Sequence, residues 1–283
     1  MPTTFAAGRA IFRRYKNTCQ ETNMAEHAVH TLGGGLLLQI EEGCATLTLN
    51  RPERHNSLSQ EDMIALRDTL QELDKDQRLR VLVLTGAGEK TFCSGAFLNE
   101  VADRSFRGNP FEDLTSTLEN FRLPVICALN GSVYGGGFEL SLCCDFRIGV
   151  EGMRMFVPPA RLGIHYPEQG LMRLITRVGL NAAKRIILAV EGFDAQAMLQ
   201  QGFIDYLAPR PELAARTQML ARDIAALAPL SVQTMKRSLN ELARGNADPD
   251  AIKARIAQCW NSQDHQEAVR AMAEKRKPHF QQN

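Results

Sequence analysis

The chain has 283 residues, of which 44% are apolar and 23% charged, values that are ordinary for one large globular domain or a domain with a subdomain. Its net charge of +1 gives no long-range field that would attract nucleic acid or an anionic membrane. No apolar run approaches the roughly 20 residues that a membrane-spanning helix needs, so no membrane span is predicted.

The first 30 residues are basic, and no acidic residue precedes Glu21. Arginine-rich, acid-poor leaders are typical of transit peptides. A disordered extension, or a start site upstream of Met24, would give the same composition, and we favour these two interpretations. We therefore expect residues 1–30 to be an extension outside the fold and the protein to be cytoplasmic, with a mitochondrial location left open.

Strand and helix patterns alternate over the next part of the chain. Two β-rich runs flank Glu-Glu-Gly in "LLLQIEEGCATLTLN", which predicts a hairpin. Ser59 is a candidate N-cap, and a helix beginning there would place four apolar residues on one face: Met63, Leu66, Leu70 and Leu73. The runs "RVLVLTG", "PVICALNG" and "CDFRIGV" are nearly continuous apolar strands. Together they predict βαβ units and a largely parallel sheet.

From about Gly170 the pattern becomes helical to the end of the chain. Helices are indicated by "GLMRLITRVG", "NAAKRIILAV", "DAQAMLQQGF", "ARTQMLARDIAALA", "LSVQTMKRSLNELARG" and "DAIKARIAQCWNSQDHQEAVRAMAEKR". We therefore predict an α/β core over residues 31–220 and a C-terminal helical region over residues 221–283.

The cysteines do not indicate a metal centre. None of the seven belongs to a CxxC pair, and no paired histidine spacing accompanies them. Most lie in apolar runs, which predicts buried free thiols in a reducing compartment. No metal site is predicted.

Three consecutive glycines, Gly135–Gly137, stand between a predicted strand and a predicted helix. Free backbone N–H groups at a helix N-terminus attract negative charge, and glycine lets a ligand approach closely. The spacing matches neither GxxxxGK[ST] nor GxGxxG. The alternatives are tight helix–sheet packing and an oxyanion hole, in which N–H groups stabilise a developing negative charge. A second loop after a buried strand ends in Ser94, Gly95 and Ala96 and could supply another donor.

These two loops identify a resemblance. "GEKTFCSGA" and "VICALNGSVYGGGFELSLCCD" resemble the enoyl-CoA hydratase/isomerase superfamily, the crotonase fold, and the resemblance extends from about residue 33 to 280. It implies an α/β fold of repeated ββα units with a largely parallel core sheet and a C-terminal helical trimerisation region. It also implies an acyl-CoA substrate, trimers or hexamers, and no separate cofactor, because coenzyme A is part of the substrate.

The resemblance assigns roles to particular residues. The amides of Ala96 and Gly136 match the pair that polarises a thioester carbonyl in the family. The resemblance also implies contact with coenzyme A for a second set of residues: Arg54, His55, Lys90, Ser94, Gly95 and Lys275. In some relatives, the lysine that matches Lys275 reaches coenzyme A from a neighbouring subunit.

The carboxylates depart from the family pattern. Family hydratases use two glutamates, and Glu139 matches the first. Alignment on Leu162-Gly163 places Pro159 where the second is expected, and proline can neither hold a water through its side chain nor transfer a proton. Glu168 could act as acid or base in its place, although it could equally be a surface glutamate.

We predict an acyl-CoA-handling enzyme that stabilises a thioester enolate, with hydration of a 2-enoyl-CoA as the named reaction. Double-bond isomerisation, thioester hydrolysis and decarboxylation are alternatives that need only one carboxylate. A non-catalytic acyl-CoA binding protein is the alternative from another class. No nucleic-acid or membrane partner is predicted.

Overall fold

A seven-stranded sheet organises the computed structural model, which describes residues 29–32, 35–96 and 109–281. The predicted extension therefore lies outside the described residues as far as residue 28. In spatial order the strands are β1 (His30–Leu32), β2 (Leu36–Glu41), β3 (Cys44–Leu49), β4 (Val81–Gly86), β6 (Val125–Leu129), β8 (Phe146–Val150) and β11 (Tyr206–Ala208).

The sheet changes from antiparallel to parallel at β3. β1, β2 and β3 pair antiparallel, whereas β3–β4, β4–β6, β6–β8 and β8–β11 are parallel. The turn between β2 and β3 uses Glu42 and Gly43, both with positive φ, as a tight hairpin requires. All five residues of β6 are buried, whereas burial alternates along β2 and β3. The predicted hairpin and the largely parallel α/β core are confirmed.

Helix α1 (Gln60–Leu73) covers the sheet with the predicted face. Ser59 accepts a hydrogen bond from the amide of Asp62, and the Asp62 carboxylate accepts one from the Ser59 amide, which completes a capping box. The four predicted apolar residues are fully buried. Helix α2 (Pro110–Glu119) packs against α1.

A second, four-stranded sheet carries the Gly-rich segment. Its order is β10 (Phe193–Asp194), β9 (Arg154–Phe156), β7 (Ser132–Tyr134) and β5 (Thr91–Cys93). Helix α3 (Gly135–Leu142) begins directly after β7. The sequence did not predict this sheet, because strands of two or three residues are too short to show a period.

Helices dominate the rest of the chain. They are α4 (Glu168–Ile187), α5 (Ala195–Gln200), α6 (Leu213–Ala225), α7 (Pro229–Ala243), α8 (Pro249–Trp260) and α9 (Gln263–Ala273). Two predicted helices meet within α4 at Gly179, whose φ of 78° and ψ of 161° are not helical. The last predicted segment is divided, because Ser262 caps α9 by accepting from the amide of His265.

The boundary predicted between residues 220 and 221 needs correction. It falls inside α6, which packs against strands β3, β4, β6 and β8 of the large sheet. This helix belongs to the core because its buried side is held by the sheet, so the C-terminal helical region begins after Ala225.

The described cysteines are free thiols, and four of the six are buried: Cys93, Cys127, Cys143 and Cys144. Burial raises the pKa of Cys93 to about 12, so this thiol stays protonated at neutral pH. None of the helices in the described ranges is both long enough and apolar enough to cross a bilayer.

Candidate active site

The two glycine-containing loops lie against each other. Gly95 has a φ of 90°, and a Cβ built on it would lie 2.5 Å from the backbone nitrogen of Gly136. A Cβ on Gly137 would collide with the carbonyl oxygen of Cys93. Any side chain at these positions would force the loops apart. The glycines therefore serve the close approach of two backbones, which places Ala96 beside the start of α3.

Helix α3 begins at this point. Gly136 is its second residue, and the first four N–H groups of an α-helix have no acceptor within that helix. The side chain of Phe111, from α2, packs over Gly136. Ala96 bridges to Leu58 in parallel register, and the Leu58 amide donates to the Gly95 carbonyl over 2.9 Å. The arrangement suits an oxyanion hole, although the donor roles of Ala96 and Gly136 stay predictions.

Glu139 lies one turn farther along α3 and is buried, with 4% of its surface exposed. Its Oε1 accepts a hydrogen bond from Nη1 of Arg173 over 2.9 Å. Nη2 of the same guanidinium lies 3.2 Å from both Glu119 Oε2 and Gln169 Oε1. Arg173 thus joins α3, α2 and α4, and it holds one oxygen of the Glu139 carboxylate.

The environment of Glu139 makes its carboxyl group a weaker acid than an exposed glutamate. Burial raises the pKa of Glu139 above the ordinary glutamate value, while the positive charge of Arg173 acts in the opposite direction without cancelling the effect. The negative charge of Glu112 adds to the rise. A carboxyl group whose pKa is raised toward neutrality is better suited to both accept and return a proton.

Tyr166 packs beside this carboxylate. A Cβ on Gly170, the third residue of α4, would lie 2.5 Å from Cε1 of Tyr166 and 2.8 Å from Oε1 of Glu139. The two side chains therefore converge on the same side of α4.

The residue at the expected position of the second glutamate and its proposed substitute have different surroundings. Pro159 is buried at the start of a short 3-10 helix, Pro159–Leu162, and offers no polar side-chain group to the site. Glu168 is exposed as the first residue of α4. The acid or base role of Glu168 stays a prediction.

Most residues predicted to contact coenzyme A come together near β5. His55 has a φ of 54°, its Nδ1 lies 2.9 Å from Thr91 Oγ1, and its carbonyl accepts from the Ser94 amide over 3.1 Å. Arg54 precedes it, and the exposed Lys90 directly precedes β5. These contacts hold the segment of Arg54 and His55 beside the loop of Ser94 and Gly95. Whether these residues contact coenzyme A stays a prediction.

Lys275 lies apart from this group in the fold. It follows the end of α9, is exposed and has a φ of 55°. It belongs to the C-terminal helical region, and its contact with coenzyme A stays a prediction.

Arg173 is the site residue that the sequence reasoning missed. It contacts Glu139 across 34 positions of the chain, so no local spacing announces the pair. The available signal was its place in "GLMRLI", where an arginine adjoins Leu174 on the buried side of a helix. A buried arginine requires a partner, and Glu139 was the acid already assigned to the site.

Comparison with known proteins gives the same family throughout. The family model for enoyl-CoA hydratase/isomerase matches residues 39–283. The chain is 31% identical to the short-chain-enoyl-CoA hydratase of Clostridium acetobutylicum, over 86% of this chain and 95% of that protein. It is 30% identical to the crotonyl-CoA hydratase of Syntrophomonas wolfei, over 87% and 97%.

Solved structures agree with the sequence matches. DspI of Pseudomonas aeruginosa superposes with a TM-score of 0.81 at 30% identity, covering 87% of this chain and 97% of that one. The enoyl-CoA hydratase of Bacillus anthracis superposes with a TM-score of 0.78 at 28% identity, covering 91% of this chain and all of that one.

Proposed function

Because the chain belongs to the enoyl-CoA hydratase/isomerase family, we propose that it binds acyl-CoA thioesters and adds water to the double bond of a 2-enoyl-CoA. The relatives named as short-chain-enoyl-CoA and crotonyl-CoA hydratases support this reaction. The observation that carries it is the contact between the Gly95 and Gly136 backbones beside the buried carboxylate of Glu139.

The reaction can be written with these groups. Glu139 takes a proton from water while the water oxygen bonds to the β-carbon, and the electrons of the double bond move onto the thioester oxygen as an enolate. The N–H groups of Ala96 and Gly136 stabilise that oxygen, and one such donor contributes roughly 3 kcal/mol. Protonated Glu139 then returns its proton to the α-carbon. One carboxylate therefore completes the cycle without a second acid at Pro159.

Double-bond isomerisation is the second candidate, and the buried Pro159 favours it. The carboxylate removes a proton from the α-carbon of a 3-enoyl-CoA, the electrons move onto the thioester oxygen as a dienolate, and the protonated carboxyl returns the proton to the γ-carbon. This transfer needs one carboxylate and no water. The Glu139 environment suits this transfer as well.

An assay with two substrates tests the proposal. Purified protein is expected to remove the conjugated thioester absorbance of crotonyl-CoA and to form a 3-hydroxyacyl-CoA that mass spectrometry identifies. Conversion of a 3-enoyl-CoA to the 2-enoyl isomer without hydration would favour the second candidate. Crotonyl-CoA and longer 2-enoyl-CoAs left unchanged at substrate-level enzyme would contradict the proposed hydration.

We also propose that copies of the chain associate through the C-terminal helices. Large apolar side chains are exposed on α7, α8 and α9: Met235, Leu239, Leu242, Ile256, Trp260, Val269 and Met272. Several exposed apolar side chains on consecutive helices are typical of an interaction surface, and the family resemblance implies trimers or hexamers. Light scattering is expected to give three or six times the 31.5 kDa chain mass, and Trp260→Glu is expected to lower it. A monomeric wild-type protein would contradict this.

A further inference from the structure

The hydroxyl group of Tyr166 is buried without a hydrogen-bond partner among the described residues. The residue is 8% exposed, so water does not satisfy the hydroxyl from bulk solvent. Leaving a buried donor unpaired is unfavourable, and such groups in folded proteins call for a specific explanation. A ligand oxygen that arrives at the site is one such explanation.

The surroundings of the hydroxyl place it at the candidate active site. Tyr166 and the Glu139 carboxylate converge beside Gly170. Glu139 is three residues after Gly136 on α3, so both residues face the same side of that helix. The Glu139 carboxylate lies close enough to attract the hydroxyl and to raise the pKa of Tyr166. The two groups nevertheless do not meet the distance and angle of a hydrogen bond, so this contact leaves the donor available to a ligand. Tyr166 therefore adjoins the group that would handle the proton.

The hydroxyl is suited to donating rather than to transferring a proton. Burial raises the pKa of Tyr166 well above the ordinary tyrosine value, and the negative charge of Glu139 raises it further, while Arg173 opposes the change. The tyrosine thus keeps its proton at neutral pH. Pro159, by contrast, has no donor with which to contact an acyl substituent.

We propose that the Tyr166 hydroxyl donates a hydrogen bond to an oxygen on the β-carbon of the bound acyl group. The ligand class is an acyl-CoA with a 3-hydroxyl or 3-oxo group, which includes the product of hydration. This inference rests on the proposed function. A site whose buried donor pairs only with a ligand oxygen binds an analogue without that oxygen more weakly, because the donor then stays unpaired.

Binding of two unreactive esters tests the inference without turnover. Acetoacetyl-CoA carries a β-oxygen and butyryl-CoA does not, and neither has a 2-enoyl double bond to hydrate. Calorimetry is expected to show that Tyr166→Phe weakens acetoacetyl-CoA binding about tenfold, the effect of one lost hydrogen bond, and leaves butyryl-CoA binding unchanged. Tyr206→Phe, at a partly exposed tyrosine on β11, is the matched control and is expected to bind both esters as the wild type does.

Thermal unfolding of the ligand-free protein supplies an independent readout. Since the hydroxyl is unpaired without ligand, Tyr166→Phe is expected to melt at the wild-type temperature or above. A clear loss of stability would show that the hydroxyl is satisfied within the protein and would overturn the inference. Equal weakening of both esters, or no weakening, would also overturn it while leaving acyl-CoA binding intact. Failure of both esters to bind wild-type protein would overturn the proposed function and this inference together.

Discussion

Replacing Glu139 with glutamine is expected to lower kcat for crotonyl-CoA hydration by at least about a hundredfold, because general acid–base catalysis contributes that much or more. Glutamine keeps the size of the side chain and can still contact Arg173, but it cannot accept and return a proton. The N–H groups of Ala96 and Gly136 are unchanged, so binding of butyryl-CoA is expected to persist. Steady-state kinetics together with calorimetry separates the two effects.

The matched control for this substitution is Glu151→Gln. Glu151 is an exposed glutamate in the turn after β8, and its replacement is expected to leave kcat unchanged. A Glu139→Gln protein with nearly wild-type kcat would remove this carboxylate from the mechanism. Glu168→Gln then becomes the informative variant, since the exposed Glu168 is the other acid proposed for the site.

Isomerase activity provides a further distinction. Proton transfer between the γ- and α-carbons needs the same carboxylate, so Glu139→Gln is expected to reduce both activities. If hydration survives the substitution while isomerisation is lost, a group other than Glu139 takes the proton from the attacking water.

Periodic features of the chain were predictable because local physics determines them. The capping box at Ser59 and the four buried residues of α1 follow from spacing along one helix. Continuous apolar runs gave the parallel strands β4, β6 and β8. The α/β fold, the family resemblance and the enzyme class inferred from the glycine loops are confirmed by the family model and by the solved structures.

Features that depend on distant contacts were not predictable. β11 joins the edge of the large sheet by pairing with β8, although its sequence lies between two helices. The short strands of the second sheet are stabilised by neighbours and lack a period of their own. In the candidate site, the glycine pattern indicated that two backbone segments approach each other closely. The Glu139–Arg173 pair was not predictable, because it forms only after α3 and α4 have packed.

The burial of that pair makes Arg173 important for stability. The two side chains are 3% and 5% exposed, so the guanidinium compensates a charge that water does not reach. Replacing Arg173 with methionine is expected to lower the free energy of unfolding by about 3–5 kcal/mol, the cost of breaking a buried ion pair from one side. Glu119 also loses a contact, but it retains Arg244, whose Nη1 lies 3.5 Å from it. Urea unfolding measures the change.

Two control variants separate charge from packing. Arg185→Met removes an arginine of the same helix whose partner, Glu191, is at the surface, and little change in stability is expected because exposed pairs contribute little. Adding Glu139→Gln to Arg173→Met removes the uncompensated charge at that position, so the double variant is expected to regain part of the lost stability. A double variant as unstable as the sum of the single variants would contradict the charge argument.

The pH dependence of the Arg173→Met effect gives the most specific test. The folded-state pKa of Glu139 already lies above its ordinary value because burial outweighs Arg173, and removing Arg173 must raise the pKa further. A carboxyl whose pKa is raised on folding binds its proton more tightly in the folded state. The stabilisation that this protonated carboxyl gives the folded state is therefore complete below the ordinary glutamate pKa. It is lost as pH rises through the folded-state pKa of Glu139. The stability difference between wild type and Arg173→Met is expected to widen from acid to slightly alkaline pH, and a difference that is constant or narrows would show that Glu139 does not carry the buried charge.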